Sequence, residues 1–173
     1  MTRETHPVWT VYDKLRTSRL NTKYYGRRLA QFETYNFCLE LVLAVTAPTS
    51  AIAGLWFWNT DAGKIAWQYL GVIAALAAVV KPLLGLTKRI KAYESVLSGY
   101  RMLEYDLREI KDLVEQKQKY DGPLQAEFKK ALQREKQLVG KNPESHENRQ
   151  VLRECELEVR SELPGQSFFV PEE

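Results

Sequence analysis

The sequence predicts an all-α membrane protein: a two-span transmembrane helical hairpin carrying a cytoplasmic helical bundle. Three observations lead there. Residues 35–87 hold only four charged side chains, Glu40, Asp61, Lys64 and Lys81. Within that stretch, residues 36–58 and 65–86 form two apolar runs, each long enough to cross a hydrocarbon core of ~30 Å as a helix of ~20 residues. Both flanks carry apolar residues at helical spacing amid dense charge.

Whole-chain averages conceal this pattern. A hydrophobic content of 45%, a charged content of 27% and a mean hydropathy of -0.39 match a soluble domain. The segregation along the chain decides otherwise. Net charge is +4 over residues 1–34, zero over 35–87, +2 over 88–120 and -3 over 121–173. Positive charge hugs the apolar centre. Three regions follow: an N-terminal amphipathic segment (1–34), the hairpin (35–87) and a helical region ending in a flexible tail (88–173).

In the first region, Val8, Val11, Tyr12 and Leu15 make an apolar stripe beside Lys14, Arg16 and Arg19. A basic amphipathic helix of this kind can lie on an anionic leaflet. The simpler expectation is that its stripe packs on the other cytoplasmic helices.

The two spans are joined by "NTDAGK", whose Asp and Gly signal a turn. A secretory signal is not expected, since a long charged segment precedes the first apolar run. Orientation follows from basic residues on both outer flanks: Lys14, Arg16, Arg19, Lys23, Arg27 and Arg28 before the first span, Lys88, Arg89 and Lys91 after the second. Both termini are expected in the cytoplasm. Trp56, Trp58, Trp67 and Tyr69 flank the short loop as an interfacial belt.

Lys81 lies inside the second run, where an ammonium group is costly. Glu40 reaches a similar depth in the first. Glu40, Ala44, Ala47, Ala51 and Gly54 share one helix face, and Ala74, Ala77 and Lys81 share another. Small residues let membrane helices approach closely. Lys81 therefore has three roles open to it: snorkelling to the inner headgroups, pairing with Glu40, or lining a water-filled passage in an oligomer. Pro48 and Pro82 interrupt the spans and are candidate hinges.

Beyond the second span the helix is expected to continue. Ile90, Tyr93, Leu97, Tyr100, Leu103, Leu107, Ile110 and Val114 recur almost as a heptad seam. A seam implies a partner helix, from this chain or another copy; Tyr93, Leu97, Tyr100, Leu107, Ile110 and Val114 are the candidate oligomer seam. "YDGP" (120–123) breaks the helix, with Pro123 suited to the first turn of the next. That helix is built on Leu124, Phe128 and Leu132. "GKNPES" is a loop with Ser145 as a plausible N-cap. A last helix rests on Val151, Leu152, Cys155 and Val159 and ends at Leu163-Pro164-Gly165.

No catalytic pattern emerges. The sequence has no Gly-rich phosphate loop, no HExxH, no paired cysteines and no GxSxG. His6 and His146 are far apart. Cys38 and Cys155 lack the spacing of a disulfide framework or zinc site and are expected as free thiols. An enzyme, a cofactor and direct nucleic-acid binding are not expected.

The order of features is nevertheless distinctive. A basic aromatic segment, "KYYGRRLAQFE", precedes two spans with a very short loop. "KRIKAYESVLSGYRMLEYDLREI" follows and leads into a helical tail. This order resembles the SLATT family over most of residues 8–160. The resemblance implies a two-span effector of bacterial conflict and anti-phage systems, seated in the inner membrane. Such a protein is expected to form an oligomeric pore or disrupt the membrane when an activating protein or nucleotide second messenger signals infection. The rival expectation is a membrane-anchored scaffold whose cytoplasmic helices bind a partner.

Overall fold

The computed structural model describes residues 6–46 and 60–171. Five helices order the described chain: α1 (Val8–Thr46), α2 (Asp61–Leu84), α3 (Leu86–Lys117), α4 (Gly122–Val139) and α5 (Arg149–Glu162). A short 3-10 turn follows at Gly165–Ser167. No strand occurs among the described residues, so the all-α expectation holds. The chain divides into two compact units. One combines Met1–Leu29 with Lys91–Glu173, and the other is Ala30–Ile90.

Helix boundaries follow local chemistry. Thr60 caps α2, its hydroxyl accepting from the Gly63 amide at 3.1 Å. Asp121 caps α4 through the Leu124 amide at 3.2 Å, with Pro123 in the first turn, where its missing N–H costs nothing. The cap of α5 is Asn148, not Ser145: its side-chain oxygen takes the Gln150 and Val151 amides. Asparagine is as strong a cap as serine, and the loop spends three more residues before the helix starts.

The helix does not continue unbroken out of α2. Gly85 adopts a left-handed conformation (φ 55°) and its amide caps back onto the Pro82 carbonyl at 3.2 Å. Proline removes one helical donor and glycine accepts the positive φ cheaply. The break thus sits three residues beyond Pro82, and α3 starts afresh at Leu86.

In the first unit the core is aromatic and aliphatic. Val8, Val11, Tyr12 and Leu15 of α1 are buried, as expected for a stripe that packs inward. Tyr93, Leu97, Tyr100, Leu107, Ile110 and Val114 of α3 are also buried. Tyr25 of α1 stacks on Tyr100 at 5.5 Å, and Leu97 lies beside Gly26. The seam is therefore filled within one chain. Its expected use between copies is corrected: an intramolecular helix already occupies it. Gly99 permits a close approach on the same helix, for a Cβ there would fall 2.2 Å from Cδ2 of Leu138 on α4.

The tail after α5 was expected loose. Instead Phe168 is 2% exposed. Its ring stacks on Tyr12 at 4.4 Å, with Trp9 edge-on to both. The Tyr12 hydroxyl donates to the Phe169 carbonyl at 2.5 Å. Burying such an aromatic contributes roughly 1.5–3 kcal/mol, enough to hold a short terminal segment.

The second unit is different in kind. Gly63–Leu84 is long and apolar enough to cross a membrane by length and composition, with a mean hydropathy of 1.5, and 6% of its apolar 18-residue stretch is buried. A soluble core helix would be mostly buried. Ile65, Tyr69, Val72, Leu76, Val79 and Leu83 all lie open. Tyr35, Phe37 and Leu41 on the facing part of α1 are also exposed. The remainder of the first expected span, including Pro48, lies outside the described residues.

Candidate functional site

Two polar arrangements stand out, one in each unit. In the second unit, the Lys81 ammonium donates to Glu40 Oε1 at 3.1 Å. Asn36, one turn before Glu40, donates from Nδ2 to the same oxygen at 3.0 Å. Asn36 also shares a cavity with Gly85, Leu86, Thr87 and Lys88, whereas Glu40 meets Lys81, so the two segments run antiparallel. Ala77 is buried on the Lys81 face, which is how the small-residue face of α2 lets the neighbouring backbone approach. Pairing with Glu40 is one of the three roles the sequence leaves open for Lys81, and the structure brings the two side chains together. The pair is not sealed: the Lys81 and Glu40 side chains remain 32% and 54% exposed. Pro82 lines the adjacent cavity.

In the first unit, Glu144 is the centre. It sits in the loop between α4 and α5, with a side chain 6% exposed. Tyr24 and Tyr93 each donate their hydroxyl to its carboxylate. Arg28 donates Nε to Oε1 at 2.6 Å. The Asn148 amide donates to the Tyr24 oxygen at 2.8 Å, joining the cluster to the α5 cap. Burial pushes the Glu144 carboxyl up, but the two hydroxyls and the guanidinium outweigh it and hold it below the usual carboxylate range. Burial, then the Glu144 hydrogen bond, pushes the Tyr24 phenol up to about 12. Tyr93 is raised by the same two causes.

Beside this cluster, α1 and α5 are joined by a ladder. Arg19 reaches Glu162 at 2.9 Å, Lys23 reaches Glu158 at 2.8 Å and Glu162 at 2.7 Å, and Arg27 reaches Glu154 at 2.7 Å and also Glu158. Arg19 further meets Glu104 on α3 at 3.3 Å, and Lys14 meets Glu135 on α4 at 2.8 Å. The Lys23 hydrogen bond is the main reason that Glu158 and Glu162 are held below the usual carboxylate range. Among the described residues, five of the six Lys and Arg side chains before Tyr35 are thus engaged by carboxylates of the same unit.

Sequence reasoning read those bases as signals of orientation and as the charged face of an amphipathic helix, and passed over Glu144 altogether. The ladder had a visible signal: Arg19, Lys23 and Arg27 recur every fourth residue, as do Glu154, Glu158 and Glu162. Glu144 had none, because a loop carboxylate carries no period. Cys155 is free and buried, and burial pushes its thiol up; Cys38 is free and exposed. Among the described residues no acidic, His or Cys cluster could hold a metal ion. A cavity of about 170 Å³ between α3 and α4 is bordered by its own ion pairs, Arg134 with Asp106 and Lys130 with Glu127.

Compared with protein-family models, with curated proteins and with solved structures, the chain matches none. Function must be argued from the residues themselves.

Proposed function

We propose that this chain is a membrane effector that assembles into an oligomeric pore in a bacterial inner membrane, with both termini in the cytoplasm. In this reading residues 36–58 and 65–86 are both spans. The observation that carries it is the half-exposed Lys81–Glu40 pair on an otherwise apolar, outward-facing surface. Charges facing hydrocarbon are unfavourable. A second copy, or water held between copies, would cover this pair where lipid would not. Two helices enclose no water path alone, so conduction requires assembly, with a closed symmetric ring as the default. The resemblance to the SLATT family adds the setting: anti-phage defence, with activation by a partner protein or second messenger.

The test is membrane potential in bacteria expressing the native chain, the Lys81→Met variant and a chain with both spans replaced by generic apolar helices. The native chain should depolarise the cell, and the generic spans should not. Retained polarisation with the native chain, even with its genomic neighbours and under phage challenge, would refute the pore.

One observation favours an anchored scaffold instead. Met102 and Tyr105 stand open on one face of α3, at 55% and 71%, three residues apart as helix-binding anchors are. A scaffold would keep its function with generic spans, which separates the two readings.

A further inference from the structure

We infer that Trp9 and Tyr12 form a peptide-recognition site, closed in this structure by the chain's own tail, and that the site accepts the same segment, residues 163–171, from a second copy. The ligand class is an extended peptide with a central phenylalanine between prolines. Such a site goes beyond the pore reading and would operate whether or not the spans conduct.

The tail is seated as a bound peptide is. Its Phe168 ring lies 8° from parallel to the Tyr12 ring, with centroids 4.4 Å apart, and Trp9 closes the pocket edge-on at 6.1 Å. The next carbonyl, that of Phe169, accepts from the Tyr12 hydroxyl at 2.5 Å. One residue of α1 thus reads both a side chain and the backbone beside it. Gly165 comes close to the Trp9 ring, where a Cβ would stand 3.6 Å from Cη2, and Pro171 is buried. Pro164 (φ -66°, ψ 137°) and Phe168 (φ -82°, ψ 133°) both have polyproline II backbone. Aromatic-lined grooves take proline-flanked segments of that form because little entropy is lost on docking.

The tail also carries its shape with it. Between Pro164 and Phe168 it makes one 3-10 turn, in which the Ser167 amide and hydroxyl both donate to the Pro164 carbonyl, at 3.0 and 2.8 Å. These bonds lie within the segment and travel with it to any groove. The groove itself is 157 residues away in sequence, so chain connectivity does not dictate whose groove the tail fills. Helix α5 ends at Glu162, and Pro164 has no amide to extend it. A change of a few backbone angles at residues 163 and 164 redirects the tail. In a second copy it would make the same contacts, so exchange costs little beyond the loss of tethering. Within one copy the tether supplies the tail at about millimolar effective concentration, which keeps the groove closed at rest.

In the full chain in detergent, Phe168→Ala vacates the groove. A fluorescent peptide of residues 163–173 should bind this variant, read by anisotropy. It should bind the native chain about tenfold more weakly, because the tethered tail competes; the native chain, with its fold intact, therefore answers the same question at higher peptide concentration. Phe168→Ala in the peptide should abolish binding, and Phe169→Ala, which keeps the carbonyl, should weaken it far less. Tyr12→Phe in the vacated chain keeps the stacked ring and should weaken the peptide about fivefold, the worth of one hydrogen bond. Between copies, the tail of a Trp9→Ala chain should be cut by chymotrypsin when alone, protected when the Phe168→Ala chain is added, and still cut beside the native chain. Assembly through the spans would not shield a tail, so protection reads the exchange alone. A peptide that binds neither chain, equal losses from the two phenylalanine replacements, a Trp9→Ala tail that stays open beside the Phe168→Ala chain, or one protected equally by the native chain would each overturn the exchange site.

Discussion

Replacing Glu144 by glutamine tests the architecture of the first unit most directly. The carboxylate accepts from Tyr24, Tyr93 and Arg28 with a side chain 6% exposed. Each hydrogen bond to a charged group is worth about 1.5–3 kcal/mol. Glutamine is nearly isosteric and keeps one carbonyl oxygen, so one or two neutral bonds survive. The lost charge takes the carboxylate away from the Arg28 guanidinium, itself largely buried. Breaking a buried pair on one side costs about 3–5 kcal/mol; the retained amide and the partial exposure of Arg28 bring the expected loss to about 3 kcal/mol. That is a large share of an ordinary domain stability of about 5–15 kcal/mol. At about 2–4 °C per kcal/mol, melting should fall by about 6–12 °C. The assay is a near-ultraviolet circular dichroism melt of the full chain in micelles, paired with a spectrophotometric tyrosine titration. Tyr24 should ionise near 12 in the native chain and closer to the ordinary phenol value in the variant, because the neighbouring negative charge is gone. A melting point within a degree of native, with an unchanged titration, would show that the loop is held by something other than this carboxylate.

Further consequences follow from the same unit. Gly99→Ala should destabilise by about 1–3 kcal/mol, the usual cost of overpacking, and Leu138→Ala in the same chain should relieve part of that loss in denaturant titrations. Phe168→Ala should cost about 3 kcal/mol and render the residues after Pro164 sensitive to protease, which mass mapping of the fragments would detect. Glu144, Glu158 and Glu162 all have lowered folded values. Their contribution is complete above the ordinary carboxylate value of about 4.3 and is lost as pH falls through the lower folded values. Melting temperature measured against pH should therefore be level near neutrality and fall only in acid. In the hairpin, Glu40→Gln and Lys81→Met should each lower the melting point while the double change lowers it less than their sum; strict additivity would deny the pairing.

The features with a period were legible in the sequence. The apolar stripe of α1, the α3 seam and the breaker before Pro123 announced themselves by spacing and by residue type. The Glu40–Lys81 pairing was legible only as one of three roles for Lys81: so few charges occupy the apolar region that depth matches these two, but depth alone does not say whether Lys81 pairs, snorkels or lines a passage. What the seam packs against was not legible, since a heptad pattern says that a partner exists and not which one. The docking of Phe168 was hidden because two aromatic residues in a tail carry no period, and Tyr12 is remote in sequence. The halt at Gly85 was missed because glycine after an internal proline reads equally as a kink inside one helix or as the end of it.

The ladder between α1 and α5 has a translational symmetry. Its cations recur every four residues, its anions do the same, and the buried Val151, Cys155 and Val159 beneath them repeat at the same interval. A slide of α5 by one turn along α1, about 6 Å, would return most rungs to an equivalent partner and most apolar side chains to an equivalent hollow. The interface by itself therefore specifies a direction of travel better than a position. The position is fixed from outside, at both ends of α5: Glu144 and the Asn148 amide clamp the entry to Tyr24, and Phe168 clamps the exit to Tyr12. Releasing one clamp would leave a helix free to ratchet in steps of a turn, with each step held by the same kind of contacts as the last.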